Sequence, residues 1–147
     1  MSDSTIHLQF AVDCFNGIWK ILDQPQPDHE AINEAILLAH TSTWHWKHAG
    51  TEIHQQRGEW IISRVYARFG FGSMALYHAQ RCLAITDKNK FDDFDLAYAY
   101  EAMWRSLLVS EQPDEARVYF DKAMAAAQLI QKEEDRQWVL KDLAAAP

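Results

Sequence analysis

Between Trp60 and Cys82 the chain reads Trp-Ile-Ile-Ser-Arg-Val-Tyr-Ala-Arg-Phe-Gly and then Phe-Gly-Ser-Met-Ala-Leu-Tyr-His-Ala-Gln-Arg-Cys, two amphipathic segments hinged on a glycine. No other feature constrains the fold as much. Apolar and small residues recur at steps of three and four on both sides of Gly70, the spacing of helices that each bury one stripe. A stripe of that kind needs a neighbour, and a short turn supplies one running the opposite way. Helical hairpins stack side by side, and a stack usually presents a surface for holding a partner.

The rest of the chain fits the same pattern. Leu8, Val12, Phe15, Trp19 and Leu22 predict a buried stripe on a first helix from about Ser4, a capping residue, to Asp23. Gly17 within it hints at a close crossing by a neighbour. Gln24-Pro25-Gln26-Pro27-Asp28 cannot continue that helix, and Asp28 suits the cap of a second one from about His29 to His48. That second helix carries Ile32, Ala35, Ile36, Ala39 and Thr43 on one face and stops at Gly50; Trp44 and Trp46, two residues apart, must point to different sides. A third helix begins near Thr51, or near Glu59 if Gly58 breaks it, and ends at Gly70. A fourth follows Gly72-Ser73 to about Lys88, and a fifth, capped by Asp92 or Asp93, reaches about Val109. Pro113 suits the first turn of a sixth helix, extending to about Ile130, with Asp114 and Glu115 at its positive end. The tail from Glu134 to Ala146 reads as a seventh helix presenting Trp138, Leu140 and Leu143. No segment alternates with period two over a strand's length, so the expected fold is all-α.

Composition narrows the partners. A chain of 147 residues, 48% hydrophobic and 24% charged, is expected to form one globular domain over residues 1–147. With 14 basic against 21 acidic side chains the net charge is −7, which disfavours nucleic acid and anionic membranes. Cys14 and Cys82 each lie alone in an apolar helical pattern, as small buried thiols do. With no signal-peptide pattern at Met1-Ser2-Asp3-Ser4 and no window as long as a membrane span, a reduced, cytoplasmic protein is expected.

The central hairpin resembles the tetratricopeptide repeat: Ser63, Tyr66 three residues on, Gly70 at the turn, Ala75 five beyond, then Ala79 and Cys82 on the returning helix. Small residues let two backbones approach, Tyr66 fills the space between hairpins, and Gly70 permits a turn that a side chain opposes. A poorer copy spans Trp104 to Ala123, where Ala116, Phe120 and Ala123 fit the returning helix. There Trp104 replaces the small residue and Glu111 the glycine, and a longer loop around Lys88 to Asp92 stretches the spacing. Helices one and two form a third, degenerate hairpin with Ala31, Ala35 and Ala39 as its small face. The resemblance implies a right-handed stack of about seven helices, with a groove that binds peptides or partner proteins.

In such a stack the first helix of each hairpin lines the groove, which places Arg57, Trp60, Arg64 and Arg68 along one face. Arginine forks recognise carboxylates and Trp60 offers a flat apolar surface, so an acidic segment is one expected ligand. The competing reading is internal pairing of these arginines with Glu59, Glu101 or Asp95, which would only hold hairpins together.

A second reading is a small-molecule or metal-binding helical domain, with an enzyme among its forms. His45, His48, His54 and Glu59, with His40 nearby, are ligand types suited to zinc, although their spacing is not specific and His-x-x-His alone lacks the glutamate of the zinc-protease helix motif. Against it stand histidines simply packed at a helix end beside Trp44 and Trp46. The six tryptophans, Trp19, Trp44, Trp46, Trp60, Trp104 and Trp138, are most simply core, or else walls of an aromatic pocket. No phosphate loop or nucleophile elbow is present, so no cofactor and no catalytic residue are assigned; His78 and Cys82, one turn apart, are an unpromising pair because Cys82 falls at a buried small position. Self-association through helices one and seven is a further possibility.

Overall fold

The computed structural model describes residues 1–145, and within them the chain is an array of seven helices with no strand. They are α1 (Asp3–Leu22), α2 (His29–Ala49), α3 (Glu52–Arg68), α4 (Gly72–Asn89), α5 (Asp93–Val109), α6 (Pro113–Gln128) and α7 (Glu133–Ala144). The expected extension of the last helix to Ala146 lies outside the described residues. Ser2, rather than Ser4, caps α1, its side chain accepting from the Thr5 amide. Asp28 caps α2 by accepting from the Ala31 amide at 2.8 Å. Thr51 opens α3, where its own amide donates to His54 Nδ1 at 3.1 Å.

Helix α3 runs unbroken through Gly58. A side chain there would meet Thr43 of α2 at 2.7 Å, so the glycine marks a helix crossing and not a helix end. Gly17 is less constrained, since an added Cβ would touch Leu38 at an ordinary 3.4 Å.

Adjacent helices pack in order, α1 on α2, α3 on α4 and α5 on α6, and each hairpin contacts the next. Along the array the backbones of the odd-numbered helices come close to their odd neighbours, whereas those of α2, α4 and α6 stay apart and only the His40 and His78 rings bridge α2 to α4. The array therefore curves with α1, α3, α5 and α7 on its inner side, an arrangement compatible with a helical repeat.

The turns repeat too. Gly70 has a positive φ of 85° and Glu111, 41 residues later, a positive φ of 59°. The Phe71 amide donates to the Tyr66 carbonyl and the Gln112 amide to the Leu107 carbonyl, both at 2.9 Å, so the same turn closes α3–α4 and α5–α6. Ser63 lies fully inside, its hydroxyl donating to the Ala75 carbonyl at 2.8 Å and reaching Ser106 Oγ at 3.1 Å. Ala75, Ala79 and Cys82 are fully buried, which is how α4 comes close to α3.

Two apolar cores form, one around Ile18, Ala35, Ala39, Ile61 and Val65, the other around Ala97, Met103, Leu107, Ala127 and Ile130. Trp60 packs against both. The expected α1 stripe holds in its second half, where Phe15, Trp19 and Leu22 pack on the first core, and shifts in its first half, where Ala11 is buried and Leu8 and Val12 are exposed. The cause is a close approach, since Ser42 on α2 donates its hydroxyl to the Ala11 carbonyl at 2.7 Å, which only a small residue at that point allows. At the other end Val139 and Leu143 are buried and Trp138 is exposed, so the expected α7 face is right for Leu143 and wrong for Trp138.

Candidate binding site

On the inner side a row of rings crosses three successive odd helices. Trp19 of α1 lies 6.0 Å from Trp60 of α3, and Trp60 lies 5.3 Å from Tyr98 of α5 in an edge-on contact. Arg64, one turn beyond Trp60, sets its guanidinium 5.7 Å from the Trp19 ring and 5.8 Å from the Trp60 ring, within the range of a cation–π contact. Helix α7 completes the row through Asp142, which accepts from the Tyr98 hydroxyl at 2.6 Å and stands 3.4 Å from Arg64 Nη1. Each odd helix thus contributes a side chain to one continuous strip. Burial and the Asp142 carboxylate push the Tyr98 hydroxyl well above its usual range, so it remains a donor.

Of the row expected on α3, Arg57 and Arg64 are already placed against carboxylates. Arg57 grips Asp95 with a fork, Nε to Oδ1 at 3.0 Å and Nη2 to Oδ2 at 3.2 Å. Arg64 faces Glu101 at 4.0 Å and makes no hydrogen bond. Arg68 is turned to the edge, donating to the Gln24 carbonyl at 3.1 Å and lying over Phe69. Glu101, fully buried, is held by Arg105 one turn along α5. Arg57, Arg64 and Arg105 balance Asp95, Glu101 and Asp142, so the strip is charge-neutral by count.

The histidines fall into separate groups: His45 and His48 both meet the His7 ring, His40 meets His78, and His54 stands apart from both. His54 serves the start of α3, and His48 Nδ1 lies 2.8 Å from the Trp44 carbonyl on its own helix. His45 meets His7 of α1, Nδ1 to Nδ1 at 2.7 Å, in a half-buried contact flanked by the exposed rings of Trp44 and Phe10. Trp44 is exposed and Trp46 buried, as their two-residue separation requires. His40, counted near the candidate metal set, instead places Nε2 2.9 Å from the Tyr66 hydroxyl, with the His78 ring 5.5 Å away. Burial and neighbouring His78 hold His40 below its ordinary value. Among the described residues no group of three or more His, Cys, Asp or Glu side chains is placed to hold a metal ion.

Glu59 belongs to neither expected set. It joins α3 to α4 by accepting from His78 Nδ1 at 2.6 Å and from Arg81 Nε at 2.9 Å. Its burial opposes ionisation, and the hydrogen bonds from His78 and Arg81 outweigh it, holding the carboxyl below the usual range. Cys82 is sealed in, its thiol pushed far up by burial and by Glu59, so it is no nucleophile. Sequence reasoning missed Tyr98, Asp142 and His7 as site members. Asp142 lies 44 residues from Tyr98, and no local pattern announces a pairing at that range.

Comparison with protein-family models, curated proteins and solved structures finds no match. No helix among the described residues is long and apolar enough to cross a membrane.

Proposed function

We propose that this chain is a non-enzymatic interaction module, a tetratricopeptide-like stack that holds a peptide or partner segment along its inner face. The observation that carries this reading is the strip Trp19, Trp60, Arg64, Tyr98 and Asp142, drawn from all four odd helices and partly open along Arg64. A strip of rings with one weakly held arginine suits an extended segment: rings supply contact area at little entropic cost, and the charged groups set register. The 41-residue repetition of turn conformation and turn hydrogen bonds supports the repeat assignment.

The charge balance refines the ligand. Arg57 is committed to Asp95, so an acidic segment would be met by Arg64 and, at the edge, Arg68 alone. A segment of mixed polar and apolar character fits a neutral strip better. The metal-binding alternative draws no support from how the histidines are paired.

Selection of a random peptide library on the immobilised protein tests the reading. Peptides are expected whose binding falls at least tenfold in Trp60→Phe and Arg64→Ala, with unchanged circular dichroism. Peptides that bind both variants as well as the native chain, or no enrichment at all, would remove the inner face as the binding surface.

A further inference from the structure

The two ends of the array differ. Helix α7 packs on both α5 and α6 and covers the last hairpin, whereas the backbones of α1 and α2 approach, among the described residues, only each other and α3. The side of the first hairpin that faces away from α3 therefore has no neighbour. A terminal face of a helix stack stays in water when it is polar, and this one is apolar at its centre. On α1, Phe15, Trp19 and Leu22 turn toward the core shared with α3, and Ile6, Phe10, Asp13 and Gly17, at steps of three and four, follow the other side. On α2, Thr43 meets Gly58 of α3, and the opposite row is Glu30, Glu34, Leu37, Thr41 and Trp44, all exposed. Leu37, Trp44 and Phe10 keep 62%, 53% and 51% of their surface in water. Single apolar residues are ordinary on a surface, but a group spread over two adjacent helices marks an interface.

The two rows frame one groove. Gly17 has no side chain, and Leu38 of α2 comes within 3.4 Å of where its Cβ would stand. Farther along, the Phe10 ring lies 5.4 Å from the His45 ring. Half-buried Cys14 lies between these points, and after burial itself the carboxylates of Asp13 and Glu34 push its thiol up, which sets one acidic group from each helix beside the same groove. The charge of the rim selects the occupant. Asp13, Glu30 and Glu34 stand on it against one lysine, Lys20 at the far end of the α1 row. A second copy would bring these carboxylates against their equals, on chains that each carry a net charge of −7, so self-pairing through this face is opposed. A helix with an apolar stripe between lysines or arginines meets both demands: the stripe lies between two antiparallel helices, and the cations meet Asp13 and Glu34.

From this we infer that the free end of the array, the outer side of α1 and α2, is a docking face for a basic amphipathic helix of another protein, which extends the stack by one helix. The face is separate from the inner strip and stands or falls independently of it.

The test follows the Trp44 indole N–H resonance, assigned by its loss in Trp44→Phe, as synthetic peptides are added to ¹⁵N-labelled protein. The probes are an amphipathic helix of leucine and lysine, the same helix with glutamate in place of lysine, and a scrambled leucine–lysine peptide with no apolar stripe. The leucine–lysine helix is expected to shift the resonance saturably. Its affinity should fall at least tenfold in Leu37→Ser and in the double variant Asp13→Lys, Glu34→Lys, all exposed positions, with circular dichroism unchanged. The double variant should in turn prefer the leucine–glutamate helix. No saturable shift, or equal affinity for the glutamate or scrambled peptide, would overturn the proposal, as would native affinity in both variants. A dimer in sedimentation equilibrium that Leu37→Ser abolishes would give the face to a second copy and overturn it too. Trp60→Phe should bind the leucine–lysine helix as the native chain does; a tenfold loss there would move the binding to the inner strip and remove it from this end.

Discussion

His78 Nδ1 lies 2.6 Å from Glu59 Oε2, and Arg81 Nε lies 2.9 Å from the other oxygen of the same carboxylate, so one acidic side chain of α3 receives two donors from α4. The Glu59 and His78 side chains are 8% and 9% exposed, which removes most solvent competition from their contact. This pairing fastens the hairpin that the central sequence motif announces, midway between the glycine turn and its open end.

Glu59→Gln is expected to lower unfolding free energy by about 2 to 3 kcal/mol in urea titrations at neutral pH. The figure is set below the usual cost of breaking a buried pair because Arg81 reaches solvent.

The same carboxylate sets part of the acid limb of stability. Because its folded value is depressed, the stability it adds is fully present above its ordinary value of 4.5 and is lost as pH falls through the lower folded value. Unfolding free energy of the native chain measured below pH 4.5 should therefore fall more steeply than that of Glu59→Gln.

Two turns of the same shape carry different residues, and their substitutions should act in opposite directions. Gly70→Ala, at φ 85°, is expected to cost about 1 to 2 kcal/mol although nothing lies within 4 Å of the new Cβ. Glu111→Gly, at φ 59°, is expected to gain about 0.5 to 1 kcal/mol by relieving the left-handed conformation. Thermal unfolding of both variants checks the pair.

Gly58→Ala should be destabilising by about 1 to 3 kcal/mol despite the better helix propensity of alanine, because the new Cβ meets Thr43 at 2.7 Å. Adding Thr43→Ala should recover part of that loss. A double-mutant cycle with a coupling below about 0.5 kcal/mol would show that the two sites do not touch.

Native protein treated with an aromatic disulfide reagent should leave Cys82 unmodified until it is unfolded, because burial keeps the thiol protonated and out of reach. Rapid modification of Cys82 under native conditions would mean that α4 opens readily.

Legibility followed range. The α3–α4 hairpin, the Asp28 cap and the Pro113 start are each decided by a few neighbouring residues, and each was readable. Gly58 was ambiguous because a glycine inside a helical pattern signals either a break or a crossing, and only Thr43, fifteen positions away in sequence, settles which. The α1 stripe was legible at Phe15, Trp19 and Leu22 but not at Leu8 and Val12, because apolar residues surround the first half of that helix, leaving Ile6, Leu8, Phe10 and Val12 exposed, so periodicity there allowed more than one buried face. The arginine stripe was legible as a row on one face. That Arg57 would be taken by Asp95 and Arg64 left without a hydrogen bond was not.

Seven helices, their order, their glycine and proline boundaries and their antiparallel pairing were written locally, in side-chain periodicity and in the steric limits of φ. Tertiary structure alone decided how far each helix turns about its axis and which odd helices stand beside one another. Those rotations brought Trp19, Trp60, Tyr98 and Asp142 into one strip. A helix pattern repeats every turn and so states which residues share a face, while the neighbour that face meets depends on packing summed over the whole chain.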